Sequence, residues 1–508
     1  MKTRFYFAFL IAVSFVSSAS RADDSWNQFR GRNGDGIARQ SKLPIEFDEA
    51  RNVRWKVAIP DSGWSSPVVW ENEIWLTTGS DQKKEARAIC INLQTGEVIK
   101  SIKVFEMIER KVDPAYVFDS PHLNSPATPT PVVEEDRVYV SFGSQGIACL
   151  DRKSGAKIWE RRDLRVYQPV RQGSSPIVDE KNLYVAFDGT DQQFFIAINK
   201  TTGATRWKVD RNVETDWRET LSERGLSPKK GGKPNDNKKS FATATLIDAG
   251  GRRQLIAPAA EAIISYDPET GDELWRTIHP GGFNVAARPI YANGLVYVFT
   301  SGLNHSLIGI RPDGTGNVTD SHVVWSTFKS TPAIPSPVLV DGLLFMVTAK
   351  GGIARCLDAK TGQEIWKKRL GGDHWASPIL ADHKLYFSSK QGEVKVLEAT
   401  QHEPRLLASN ELNAEFIASP AVAGDMLILR STTHLYCVSA GSHRTEAQIA
   451  ADIDPKRNAG KPEPAKKKTD VQANSPLAAL GAQLKAMVAA GKLTPEEAIE
   501  LFQSAQGK

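Results

Sequence analysis

Cysteine is scarce. Cys90, Cys149, Cys356 and Cys437 are the four thiols of a 508-residue chain, and the absence of CxxC, CxxCH or an adjacent pair excludes a disulfide scaffold, thiol-ligated zinc and c-type haem attachment. Histidine numbers nine, and neither His122 nor His374 has a second ligand at zinc spacing. No GxSxG, HExxH or P-loop is present. After the N-terminal apolar run, no stretch of 18 apolar residues follows, so no transmembrane segment is expected. Neither sign of charge dominates, with 64 basic against 59 acidic residues, which argues against nucleic-acid binding. With 41% hydrophobic residues, the chain can bury a core, and disorder is excluded as its main state.

The first 22 residues read as a secretory signal: Lys2 and Arg4, the apolar run FYFAFLIAVSFV, then small residues up to Ala22. That run reaches about 18 Å as a helix, short of the ~30 Å hydrocarbon core. Cleavage removes Lys2, Arg4 and Arg21. The product is expected to be exported, periplasmic or extracellular, and soluble; with no cysteine before Cys90, it is not expected to be a lipoprotein.

Residues 52–441 carry an internal repeat. LDRKSGAKIW, INKTTGATRW, YDPETGDELW and LDAKTGQEIW each give an apolar residue, Asp or Asn, a turn ending in Gly, then Trp. Each follows a hairpin pattern such as SPVLVDGLLFMVT. The unit is four short antiparallel strands, A to D, in roughly 40 to 50 residues, which is a propeller blade. Strand-A starts near Ser66, Thr130, Ser175, Thr243, Arg288, Ser336, Ser377 and Ser419 predict eight blades. The last unit lacks a strand D, and VRWKVAI at 53–59 is expected to supply it, closing the ring against exposed edges. Trp55, Trp159, Trp207, Trp275, Trp325 and Trp366 share the strand-D slot and are read as lids on the neighbouring blade's Gly turn. The four cysteines share a strand-C slot and are read as small buried residues.

The repeat resembles the pyrroloquinoline-quinone-like, quinoprotein-type family of eight-bladed propellers and its exported bacterial members. The Asp-x-x-Thr-Gly-x-x-x-Trp pattern is complete at Asp267–Trp275 and Asp358–Trp366, and WNQFRGRNGDGIA at 26–38 is similar to such members. The resemblance implies an all-β propeller. Its enzymes imply a calcium-held quinone, a catalytic Asp and usually an adjacent-cysteine disulfide; that disulfide has no counterpart here. Asp313, Thr315, Asn317 and Thr319 have calcium-like spacing but no carboxylate at Val324, and are read as a turn.

In a propeller the D-to-A and B-to-C loops share one face, so a site is sought there. Residues preceding each strand A are expected to ring the channel mouth: Trp64, His122, Asn124, Arg171, Asn284, Arg288, His374 and Trp375, with Phe241, Ile334 and Phe416. No catalytic residue and no metal ligand is assigned. The long connections Glu106–Ser125 and Arg211–Ser240 are read as functional or disordered cover.

The remaining divisions are an N-terminal segment at 23–51, a disordered linker at 442–475 and an α-helical hairpin at 476–508. Thr494 to Glu497 forms a capping box. A hairpin this short cannot hold its own core, so self-association or docking is expected. The functional expectation is an exported, non-catalytic propeller scaffold that binds a protein or envelope polymer on its loop face, without a cofactor. The alternatives are a quinone-dependent dehydrogenase using PQQ and calcium, and a polysaccharide lyase built on His122, His374 and Arg171.

Overall fold

Alternating apolar strands joined by Asp-Gly and Asn-Gly turns favour antiparallel hairpins. Asp341 and Gly342 show the reason, with φ of 50° and 77°, the paired positive values of a turn whose twist matches its strands. The structure is a computed structural model describing residues 25–108, 123–211, 213, 238–302, 305–328 and 331–451, with parts of 483–504. It forms eight antiparallel sheets, each with four blade strands. In blade 6 these are Val338–Val340, Leu343–Val347, Ile353–Asp358 and Glu364–Arg369. The N-terminal Arg51–Ala58 pairs with His434–His443 of blade 8, Trp55 opposite Cys437, so the ring closes through the expected strand.

The tryptophans lock blade to blade. Trp325 of blade 5 lies on Gly362 of blade 6, where an added Cβ would come within 2.4 Å of the indole. Its Nε1 donates to the Ala359 carbonyl at 3.1 Å. Trp55, Trp159, Trp207 and Trp366 donate likewise to Leu93, Lys200, Pro268 and Thr400. Trp275 departs from the expected pattern. Blade 5 offers it Pro312–Asp313–Gly314 instead of the repeat's turn, and its Nε1 turns to Gln254 Oε1 in its own blade at 2.8 Å. The short strand Gly316–Asn317 then pairs in parallel with blade 4's outer strand.

Two boundaries differ from the sequence reading. Strand C of blade 8 continues to His443, Arg444 N–H donates to the Ala50 carbonyl at 2.9 Å, and a helix follows at Glu446–Ala451. Residues 442–451 therefore continue the fold instead of starting a linker, because Arg51 pairs with His443. The N-terminal segment is built into the ring: Trp26 and Asn27 carbonyls accept from Val69 in blade 1 and Val133 in blade 2, and Ile37–Ala38 pairs in parallel with blade 7. Most of both long connections, and residues 452–475, lie outside the described residues. In the tail, Thr494 N–H donates to Glu497 Oε2 at 2.8 Å and Glu497 N–H to Thr494 Oγ1 at 3.2 Å, the reciprocal bonds of a capping box.

Candidate functional site

Ser or Thr stands two residues before strand A in most blades, and these hydroxyls form a belt around the channel. Ser66 N–H donates to Thr130 Oγ1 at 3.0 Å, Thr130 N–H to Ser175 Oγ at 2.9 Å, and Ser175 N–H to Thr243 Oγ1 at 3.1 Å. The series resumes from Arg288 N–H to Ser336 Oγ at 2.8 Å, then Ser377 and Ser419, and returns to Ser66 Oγ at 3.1 Å. Blade 5 interrupts it, because Arg288 has no hydroxyl to offer. Its guanidinium instead donates from Nη1 to the Phe29 carbonyl at 2.6 Å and from Nε to Thr245 Oγ1 at 3.2 Å.

That arginine receives the N-terminal segment, which crosses the channel from blades 1 and 2 toward blade 7. Arg30 is buried and donates to the carbonyls of Pro378 at 3.1 Å, Pro337 at 2.5 Å and Asp35 at 2.8 Å. Gly36 makes room for it: φ is 77°, and a Cβ there would lie 2.4 Å from Arg30 Nη2. Phe29 thereby floors a cavity of about 300 Å³.

The cavity wall is largely apolar and aromatic. Trp64 and Trp375 meet edge to face, centroids 5.9 Å apart and planes at 82°. Lys390 Nζ lies 4.3 Å from the Trp375 ring centroid, a cation–π contact. Leu123, Phe241, Ile334 and Ile417 complete the walls, and Asn124, Asn284 and Lys239 are the amides and the ammonium of the lining. Among the described residues the lining contains no carboxylate. Asn284 sits in the left-handed region at φ 56°, and its buried Oδ1 has no hydrogen-bond partner.

Of the eight candidates, Trp64, Asn124, Asn284 and Trp375 line this cavity. Arg171 lines a neighbouring one and pairs with Asp81. Arg288 and His374 do not reach the mouth; both are buried, Arg288 against the N-terminal segment. The His374 ring stands between the Ser388 and Gly371 carbonyls, 3.0 Å from each. His122 lies outside the described residues. Phe241 and Ile334 line the cavity, while Phe416 is fully buried against Tyr436. Phe29 went unassigned in the sequence; its signal was Arg30 flanked by the glycines of 31, 34 and 36.

Buried guanidinium groups lie behind the site, and the Asp35 charge acts on two of them, Arg30 and Arg288. Burial pushes Arg30 and Arg430 down to about 9 and Arg288 to about 10, so all three remain cationic at neutral pH. Arg430 spends its donors on Ser65 and the Thr77 carbonyl, without a carboxylate. A calcium-held quinone needs converging Asp, Asn or Glu oxygens. The described lining offers two asparagine amides and a set of hydroxyls but no carboxylate, and places the Lys239 ammonium among them, a poor fit to that group; no cluster of three His, Cys, Asp or Glu able to hold a metal occurs among the described residues. No helix among them is long and apolar enough to cross a membrane.

The family model described as outer membrane protein assembly factor BamB matches residues 41–210 and 191–446. Outer membrane protein assembly factor BamB of Moranella endobia is 21% identical over 307 residues, 58% of this chain and 68% of that protein. Tetrathionate hydrolase of Acidianus ambivalens is 28% identical over 127 residues, 22% of this chain and only 23% of the hydrolase. Among solved structures, quinohemoprotein alcohol dehydrogenase from Comamonas testosteroni superposes with a TM-score of 0.59 at 10% identity, covering 85% of this chain and 82% of the other. At that identity the likeness shows the fold alone.

Proposed function

The chain belongs to the family described as outer membrane protein assembly factor BamB, and from that premise we propose that it is an exported, non-catalytic scaffold that binds a protein on its loop face. The observation that carries this reading is the channel mouth. It is an apolar cavity floored by Phe29, walled by Trp64 and Trp375, and free of carboxylates among its described lining residues. Aromatic walls in a recess suit a side chain inserted by a partner, and residues of this type dominate binding energy at protein interfaces. Among its described residues the wall carries a lysine and no carboxylate to act as a general base or anionic ligand, which favours binding over quinone-dependent oxidation. Of the described lyase candidates, His374 is held between two carbonyls and Arg171 is paired with Asp81, so neither stands free as a base or charge-neutralising group.

The test has two arms on the full chain. A photo-crosslinking amino acid replaces Trp64 or Trp375 in the producing cell, with Lys157 on an outer strand as control. A protease-sensitive adduct at the channel positions alone is expected. A glycosidase-sensitive adduct would replace the protein with an envelope polymer. In the second arm, purified protein is titrated with pyrroloquinoline quinone and calcium; a ligand at 100 times its Kd stabilises by about 2.7 kcal/mol. A saturable rise in Tm would overturn the non-catalytic reading.

A further inference from the structure

A second cavity, of about 310 Å³, lies between blades 2 and 3 beside the channel mouth. Its walls are Pro126, Pro129, Phe142 and Val166, and its polar groups include Arg165, Arg171 and Gln172. Arg171 is held in the left-handed region at φ 66°, its N–H on the Gln168 carbonyl at 3.0 Å and its own carbonyl accepting from Asn124 Nδ2 at 3.2 Å. Its Nη2 donates to Asp81 at 2.5 Å, a carboxylate 59% exposed on a blade 1 loop. Arg165 donates from Nε to the Arg162 carbonyl at 3.1 Å, and its Nη groups have no partner among the described residues. Gln172 Oε1 accepts from Ser144 N–H at 2.5 Å, which fixes the amide and leaves its buried Nε2 without an acceptor.

The Arg165 Nη groups and Gln172 Nε2 are thus left without acceptors among the described residues, in a groove that also has an apolar wall. We propose that this groove seats an acidic segment of the partner protein, with a carboxylate on the Arg165 and Arg171 guanidinium groups and an adjacent apolar side chain against Pro126, Pro129 and Phe142. Asp81 already shows that Arg171 takes a carboxylate, and its exposure lets a partner's acid compete for or share that guanidinium. A small inorganic anion would leave the apolar wall uncovered. An extended chain covers it and continues into the channel mouth, because one stretch, residues 123–130, lines both cavities. The inference rests on the loop face being protein-binding and adds the chemistry of the bound segment.

The experiment is selection of a random peptide phage library on the intact protein, followed by Kd measurement for the selected peptides on Arg165→Glu/Arg171→Glu and on Trp64→Ala/Trp375→Ala, each checked for unchanged Tm. Expected are peptides with Asp or Glu beside an apolar residue, bound about tenfold or more weakly by the arginine variant. Should the arginine variant fail to fold, Arg165→Gln alone, at an exposed side chain, gives the same comparison with a smaller loss. Peptides lacking acids, peptides indifferent to the arginines, or no enrichment would overturn the acidic groove. Peptides sensitive only to the tryptophans would do so while leaving the channel-mouth reading intact.

Discussion

Lowering the pH from about 7 toward 4 places a proton on histidine in the unfolded chain, where its pKa is about 6.5, before it reaches His279 in the folded one. His279 follows strand D of blade 4, is 5% exposed, and neither ring nitrogen has a hydrogen-bond partner. Gly282 packs so closely that a Cβ there would lie 2.2 Å from Nδ1. Burial therefore pushes its pKa down to about 4. The unfolded state binds more protons between these two values, so stability is full above about 6.5, falls as the pH falls, and levels off below about 4. Roughly 2.5 units at about 1.36 kcal/mol each gives a loss of about 3 kcal/mol, a large share of a typical net stability. His374 is displaced in the same direction by burial, but two carbonyls favour its charged form and oppose the shift. The assay is guanidinium unfolding at a series of pH values for the native chain and His279→Gln. Whatever the variant's stability at neutral pH, the readout is the slope, which should lose His279's share of its dependence between about 6.5 and 4. Parallel curves for the two proteins would refute the argument.

Gly36→Ala forces a Cβ into Arg30 at a positive φ and should cost about 1–3 kcal/mol, read as a lower Tm. The fully buried Asp188–Arg211 pair predicts that Asp188→Asn, which strands a guanidinium, costs about 3–5 kcal/mol in denaturant midpoint analysis; Asp188→Leu with Arg211→Met should recover much of it. All four cysteines are buried and burial pushes each up to about 12, so a thiol reagent such as DTNB at neutral pH should label none in the native protein and all four in denaturant.

The blades were legible because the repeat writes its own geometry. Asp-Gly turns fix the hairpins, and Trp55, Trp159, Trp207 and Trp325 lie on the Gly turn that the pattern assigns them, while Trp366 reaches a glycine-free turn at the Thr400 carbonyl. Trp275 shows the limit: its slot in the sequence is normal, and only the neighbouring blade's departure at Pro312 redirects it. The channel mouth was half legible. Position before strand A brings Trp64, Asn124, Asn284 and Trp375 to one cavity, but that rule carries no information about depth, and the backbone at His374 turns the ring inward between carbonyls. Phe29 was invisible for a different reason. It comes from a segment outside the repeat, placed by Arg30 and Arg288 through contacts more than 250 residues apart in sequence.

That plug bears on what the fold does here. A propeller channel is a neutral host whose chemistry is set by the side chains that its loops present. Here the hydroxyls just before strand A each accept from a neighbouring blade's backbone N–H, which stiffens the ring, and most of them also line the cavity, each with its O–H donor still available. Arg288, replacing a hydroxyl in blade 5, captures the Phe29 carbonyl and anchors the floor. Lys239 stands in a recess whose described lining has no acid, and Arg165 and Arg171, the latter paired with Asp81, stand in the groove beside it. On the proposed reading these cations would draw an acidic chain toward the recess, and the tryptophan walls would hold an apolar side chain that it carries.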